Sequence, residues 1–231
     1  MDRAVAGVTA FMCAAAILAA SIGPFWRIRD VAIEGAHHVP VDAVVAASEL
    51  LGAQSFSASA ARARARLVKL PAVRDAQVQI RIPDHVTVIL SERVAVARWI
   101  SGGTEWFVDA EGVLFSSLDP RGAPDIRVTD EQKTRQAGDR LDPALVEAAT
   151  KLARLGPADL RPDATSPRVV LAAGATGLVL RVAAGWEIRF GGAERIDDKI
   201  ALARRFLRDN QQRKLDYVDV RSPDQIVFSP S

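Results

Sequence analysis

The residues best able to do chemistry are few, and each sits in a poor pattern for it. Three histidines occur, His37, His38 and His85. A zinc site needs three or four ligands converging on one point. Neighbours such as His37 and His38 point apart on an extended chain, and no further ligands stand at a metal-site spacing from them. The pair reads as a solvated loop, and His85, after Pro83-Asp84, as part of a turn. Asp109-Ala110-Glu111-Gly112 offers two carboxylates but lacks the further oxygens of a calcium loop. It reads as a hairpin turn. Gly191-Gly192 precedes a helix, where backbone N–H groups can hold an anion. Glu194, Asp197 and Asp198 at the start of that helix would repel one. No nucleophile elbow, phosphate loop or dinucleotide fingerprint occurs. With no catalytic cluster, the expectation is a protein that is not an enzyme and takes no cofactor or metal.

The remaining charges read as surface. Arg62, Arg66 and Lys69 form a basic stripe on one helix. A solvated face is the ordinary meaning of such a stripe. Contact with anionic lipid headgroups is the sharper alternative, because the domain follows directly on an apolar run. A net charge of +2 over 231 residues gives no concentrated basic surface for nucleic acid. The single cysteine, Cys13, lies inside the apolar run, so no intrachain disulfide supports the fold. The composition, 49% apolar and 25% charged, is that of a globular protein.

The elements that hold these residues begin with the apolar run. Residues 4–26 contain no charge. About 20 apolar residues suffice to cross a hydrocarbon core of roughly 30 Å. The run therefore reads as an uncleaved transmembrane anchor, with Phe25 and Trp26 at its far interface, where aromatic rings sit at headgroup level. A cleaved signal peptide with Ala19-Ala20-Ser21 as its small-residue site is the alternative. In either case the rest of the chain is expected outside the cytoplasm. The expected organisation is a minimal cytoplasmic tail (1–3), a transmembrane helix (4–26), a first domain (27–93) and a second domain (94–231).

In the first domain, alternation and breakers predict a strand over 28–34, helices over 40–51 and 57–70, and strands over 73–82 and 86–92. The order is β-α-α-β-β. Phe56, Ala60, Ala63, Leu67 and Leu70 recur at helical spacing as a buried face. Leu67, Val73, Val78 and Ile80 are expected in the core. The second domain reads as β-rich with two helices. Strands are predicted over 96–100, 105–108, 113–116, 169–171, 177–182 and 186–190. One helix, over 143–155, opens with Asp142 as its cap and Pro143 at its first position. The other buries Ile196, Ile200, Ala203 and Leu207. Extended segments over 217–220 and 225–228 follow. The fold class is α+β.

Several runs carry a resemblance. Leu70-Pro71-Ala72-Val73-Arg74-Asp75-Ala76-Gln77-Val78, then Arg81-Ile82-Pro83-Asp84, then Val88-Ile89-Leu90-Ser91-Glu92-Arg93, resembles the POTRA domain of the FtsQ/DivIB bacterial cell-division family. Val94-Ala95-Val96 departs from it by lacking the usual proline. Trp106-Phe107-Val108-Asp109-Ala110-Glu111-Gly112-Val113-Leu114-Phe115 is similar to the hairpin that opens the family's second domain. Ile188-Arg189-Phe190-Gly191, a helix bearing Lys199, and Tyr217-Val218-Asp219-Val220-Arg221 complete the likeness. Family members carry a longer cytoplasmic tail than Met1-Asp2-Arg3.

What the resemblance implies is a single-pass inner-membrane protein at the division septum, with its domains on the cell-wall side. It would be a scaffold that performs no reaction and helps control septal peptidoglycan synthesis. Its partners would be small coiled-coil membrane proteins of the FtsB/DivIC and FtsL kinds, docking on the C-terminal part of the second domain. On that basis Tyr217, Asp219, Arg221, Gln225 and Val227 are the partner-binding candidates, with Arg195 and Arg205 extending a basic surface. The competing reading makes Tyr217 core, Asp219 and Arg221 a local ion pair, and the helix arginines solvated. Two other functions compete with this one. A POTRA-bearing export component would need a long C-terminal β-barrel, which the two helices interrupt. A secreted enzyme would need the missing catalytic cluster.

Overall fold

The computed structural model describes residues 7–9, 11–15, 24–116 and 124–230. Within them the chain divides into two compact units, one through Arg93 and one from Val94. Residues 7–9 and 11–15 are helical and exposed. Among the described residues no helix is long and apolar enough to cross a membrane. Residues 1–6, 10 and 16–23, which include the expected tail and much of the expected anchor, lie outside the described residues.

The first unit contains β1 (Asp30–Glu34), α1 (Val41–Ser48), α2 (Ala60–Leu67), β2 (Val73–Arg81) and β3 (His85–Glu92). Its sheet runs β1-β3-β2. β3 pairs parallel with β1 and antiparallel with β2. A parallel neighbour demands a crossover, which the two helices provide. Val44, Ala63, Leu67, Val73 and Val88 are fully buried in the core between them.

Two expectations need correction here. Val78 and Ile80 are only half-buried, because β2 is an edge strand with a neighbour on one side alone. Phe56 is not on the buried face of α2. The helix starts at Ala60, after Ser59, whose hydroxyl accepts the Arg62 N–H at 3.3 Å. A serine cap sets the helix start, and the apolar periodicity running through it placed the helix three residues too early. Phe56 is left in the preceding loop and is 56% exposed.

The second unit is built on one mixed sheet. Its strands are β4 (Ala97–Ser101), β5 (Thr104–Val108), β6 (Leu114–Phe115), β7 (Arg127–Asp130), β8 (Arg168–Ala172), β9 (Gly177–Arg181), β10 (Glu187–Gly191), β11 (Tyr217–Asp219) and β12 (Val227–Ser229). They lie in the order β12-β11-β10-β9-β8-β7-β4-β5-β6. Strand β7 had no counterpart in the sequence reading, yet it stands mid-sheet, parallel to both β4 and β8. Its last residue, Asp130, is buried, and accepts from the Trp99 indole at 3.0 Å and from Arg135 Nε at 2.7 Å.

Helices α3 (Pro143–Ala153) and α4 (Ile196–Asp209) pack on the sheet, α3 on β7 and β8 and α4 on β10. Lys151 of α3 pairs with Asp197 of α4 at 2.9 Å. The Asp142 carboxylate accepts the Ala144 N–H at 2.9 Å, so the cap stands where it was predicted. The stripe Ile196, Ile200, Ala203 and Leu207 is buried.

Candidate functional site

Alternation along β11 and β12 sorts their side chains between two faces. Val218 is fully buried and lies opposite Phe228. The Phe228 ring stands 5.1 Å from Phe206 of α4, and the Arg213 guanidinium lies 4.7 Å from its centre. Tyr217, Asp219 and Val227 take the other face. Three register pairs join β12 to β11. Beyond β12 no further strand follows among the described residues. An edge of this kind presents backbone N–H and C=O groups to any extended chain that comes alongside.

Four of the candidate residues come together beside this edge. Asp219, Arg221, Gln225 and Val227, with Ser222, line a hollow of about 250 Å³. Val227 is 48% exposed there. Asp219 accepts the Arg221 backbone N–H at 3.0 Å, Nε at 2.9 Å and Nη2 at 2.8 Å. Burial alone would raise the Asp219 carboxyl, but its bonds to Arg221 outweigh that and hold it below the usual range. The local ion pair is therefore present, and it fixes Arg221 across the end of β10. Gly191 makes this possible. Its φ is +73°, and a Cβ there would stand 2.9 Å from Arg221 Cγ.

Tyr217 is half-buried rather than core. The Arg189 guanidinium lies 4.0 Å over its ring, itself held by Glu187 at 2.8 Å. Arg195 stands outside the hollow, at the start of α4, with a left-handed backbone (φ 50°). It binds Asp198 at 2.8 Å and reaches Asp224 at 3.5 Å, linking the helix to the turn before β12. Arg205 is exposed on α4 and does not line the hollow. In the first unit, Trp26 meets Phe56 edge-on, with ring centres 6.3 Å apart, and Phe25 is exposed. Arg66 is engaged by Glu49 at 2.9 Å and by the Ser48 carbonyl at 3.2 Å, while Arg62 and Lys69 are exposed.

Two arrangements were not read from the sequence. Lys199 is fully buried, and its ammonium donates to the Gly192 carbonyl at 3.1 Å and to Glu194 at 2.8 Å. It shapes the bend from which Arg195 projects. The signal was a lysine lying within the apolar stripe between Ile196 and Ala203. The second is Glu92, whose carboxylate accepts the backbone N–H groups of His37 (2.9 Å), His38 (3.0 Å) and Val39 (2.8 Å) and contacts the His38 ring at 2.9 Å. The histidine pair is thus part of a stapled loop. Among the described residues no group of three or more metal-ligating side chains forms.

Comparison with known proteins matches this architecture. The family model for the FtsQ-type POTRA domain covers residues 26–93, and that for the C-terminal region of cell division protein FtsQ/DivIB covers 97–221. The chain is 25% identical to a cell division protein FtsQ of Chloroflexus aurantiacus over 221 residues, 95% of this chain and 79% of that one. It is 27% identical to a cell division protein FtsQ of Caulobacter vibrioides over 215 residues, 89% of this chain and 65% of that one. The two models together take in most of the sequence, unit by unit, and the chain belongs to the FtsQ/DivIB family of cell-division proteins.

Proposed function

We propose that this chain is a non-enzymatic scaffold of the division machinery, anchored by residues 4–26 in the inner membrane with both units outside the cytoplasm at the septum. It holds small coiled-coil membrane proteins of the FtsB/DivIC and FtsL kinds and so helps control septal peptidoglycan synthesis. The observation that carries the reading is that, among the described residues, β12 is the outermost strand, beside the hollow of Asp219, Arg221, Gln225 and Val227. A partner segment adds to that edge as a further strand, with backbone hydrogen bonds giving affinity and side chains in the hollow giving register. Arg221 offers a partly exposed guanidinium to an acidic partner residue, and Tyr217, stiffened by Arg189, an aromatic face.

Co-purification of the full chain with an FtsB/DivIC-like partner tests this. Truncation before Gln225 removes β12, and Val227→Glu places a charge in the hollow at an exposed position. Both are expected to abolish recovery of the partner, Val227→Glu with no change in thermal melting. Normal partner yield with both variants would place the site elsewhere.

A further inference from the structure

One end of the first unit gathers exposed apolar side chains from three separate stretches of sequence. The backbone shows why they meet. Residues 26–28 are flanked on one side by 52–55: Ile28 N–H donates to Ala53 (2.9 Å), Gly52 N–H to Ile28 (2.8 Å) and Ser55 N–H to Trp26 (2.7 Å). On the other side Arg29 N–H donates to the Asp84 carbonyl at 3.0 Å, and Asp30 lies opposite His85. The loop before α2, the segment leading to β1 and the β2–β3 turn therefore share one end. Each contributes apolar surface. Phe25 is 73% exposed, Leu51 and Phe56 56% each, and Ile82 62%. Trp26 packs its ring edge on Phe56. Over residues 24–93 the other exposed large apolar side chains are Val41 and Val68, at the first residue of α1 and just past α2.

Exposed apolar clusters of this kind mark a contact surface. The occupant follows from chain direction. The uncharged run 4–26 leads directly into this end. We infer that Phe25, Trp26, Leu51, Phe56 and Ile82 form a lipid-contact platform that seats the first unit on the bilayer surface. The inference rests on the membrane-anchor reading. Aromatic rings are favoured at headgroup depth, with an apolar body and a wet rim. Arg27 and Arg81, both exposed and adjacent in sequence to Trp26 and Ile82, meet the phosphates. The stripe of Arg62, Arg66 and Lys69 leads away from this level. Helix α2 starts beside Gln54 and leads through Leu70 to Val73, which pairs with Glu92 at the opposite end of the sheet. Within that stripe Arg66 is taken up by Glu49 and the Ser48 carbonyl.

The test places the full chain in phosphatidylcholine–phosphatidylglycerol vesicles with brominated acyl chains, which quench indole emission at short range. Trp26→Phe is expected to lose most of the bromine-dependent quenching of the parent chain. Adding Phe56→Trp to that variant is expected to restore it, whereas adding His37→Trp, on the loop at the other end, is not. Emission from Trp at position 56 unchanged by bromination, in a chain that resists alkaline carbonate extraction, would overturn the platform and leave the anchor standing. Equal quenching at positions 56 and 37 would also overturn it. Release of the parent chain by carbonate would remove both readings together.

Discussion

Arg221 can lie along the end of β10 because position 191 has no side chain and a left-handed backbone. Alanine at Gly191 would face both constraints. Gly191→Ala is expected to cost about 1–3 kcal/mol, the range for a non-glycine residue held at positive φ, and to displace Arg221 from Asp219. Denaturant unfolding reads the first effect and partner recovery the second. Glu92 offers a second residue-scale test. Burial would raise its carboxyl, yet three backbone N–H groups and the His38 ring together hold it below the usual glutamate range. A group depressed on folding stabilises the fold above its unfolded pKa, and that stability is lost as pH falls through the folded value. Acid is therefore expected to weaken the first unit progressively below the ordinary glutamate range. Glu92→Gln, costing about 2 kcal/mol at neutral pH, is expected to flatten that part of the pH profile. An unaltered acid limb in the variant would assign the effect to other carboxylates. The Asp219–Arg221 pair was readable as a local one, but the Glu92 staple was not legible in the sequence. Glu92 lies more than fifty residues from the loop it staples, and a lone glutamate gives no sign of which distant backbone groups will surround it.

Elements with local signals were the legible ones. Helix α3 was readable because Asp142 and Pro143 mark its start, and Asp142→Ala is expected to cost about 1 kcal/mol, measured by thermal melting. Helix α4 was readable from its buried stripe and its acidic first turn, which suits the positive end of the helix dipole. Helix α2 was readable as a helix, and its register was right where burial matters: Ala63 and Leu67 are fully buried. Leu67→Ala is expected to cost about 2–5 kcal/mol, the range for deleting a buried leucine side chain. Unchanged unfolding of the variant would contradict the packing of α2 on the sheet. Strand β7 was illegible for a physical reason. It is four residues long and ends in a charged aspartate whose burial is satisfied by Trp99 and Arg135. A period-two pattern cannot declare itself over so short a run.

At the scale of the whole chain, the β-α-α-β-β order and the β-rich region after it were readable, because helices and strands alternate with clear breakers. The hollow was only partly so. Resemblance drew attention to 217–227, but it is the antiparallel turn from β11 to β12 that places Asp219 opposite Val227. The platform was less visible still, since the loop carrying Phe56 and the β2–β3 turn after Ile82 are brought to the segment of residues 26–30 by backbone pairing over long sequence separations. The proposed membrane anchor rests on sequence alone. Residues 4–26 are longer than the apolar core of a signal peptide. N-terminal sequencing of the membrane fraction is expected to find them retained, and a mature chain beginning near Ile22 would reverse that reading.

From β7 to β12 the strands follow one another across the sheet in chain order. Removing the outermost strand therefore leaves every remaining pair intact, and the sheet can fray one strand at a time from that side. Amide hydrogen exchange should be graded accordingly, fastest at Phe228, slower at Val218 and slowest around Val179 and Leu180, where β9 is flanked by β8 and β10. A strand bound alongside β12 would turn the frayed margin into sheet interior. The protection gained would fall off from β12 towards β10, so exchange rates alone would reveal which side of the sheet a partner occupies.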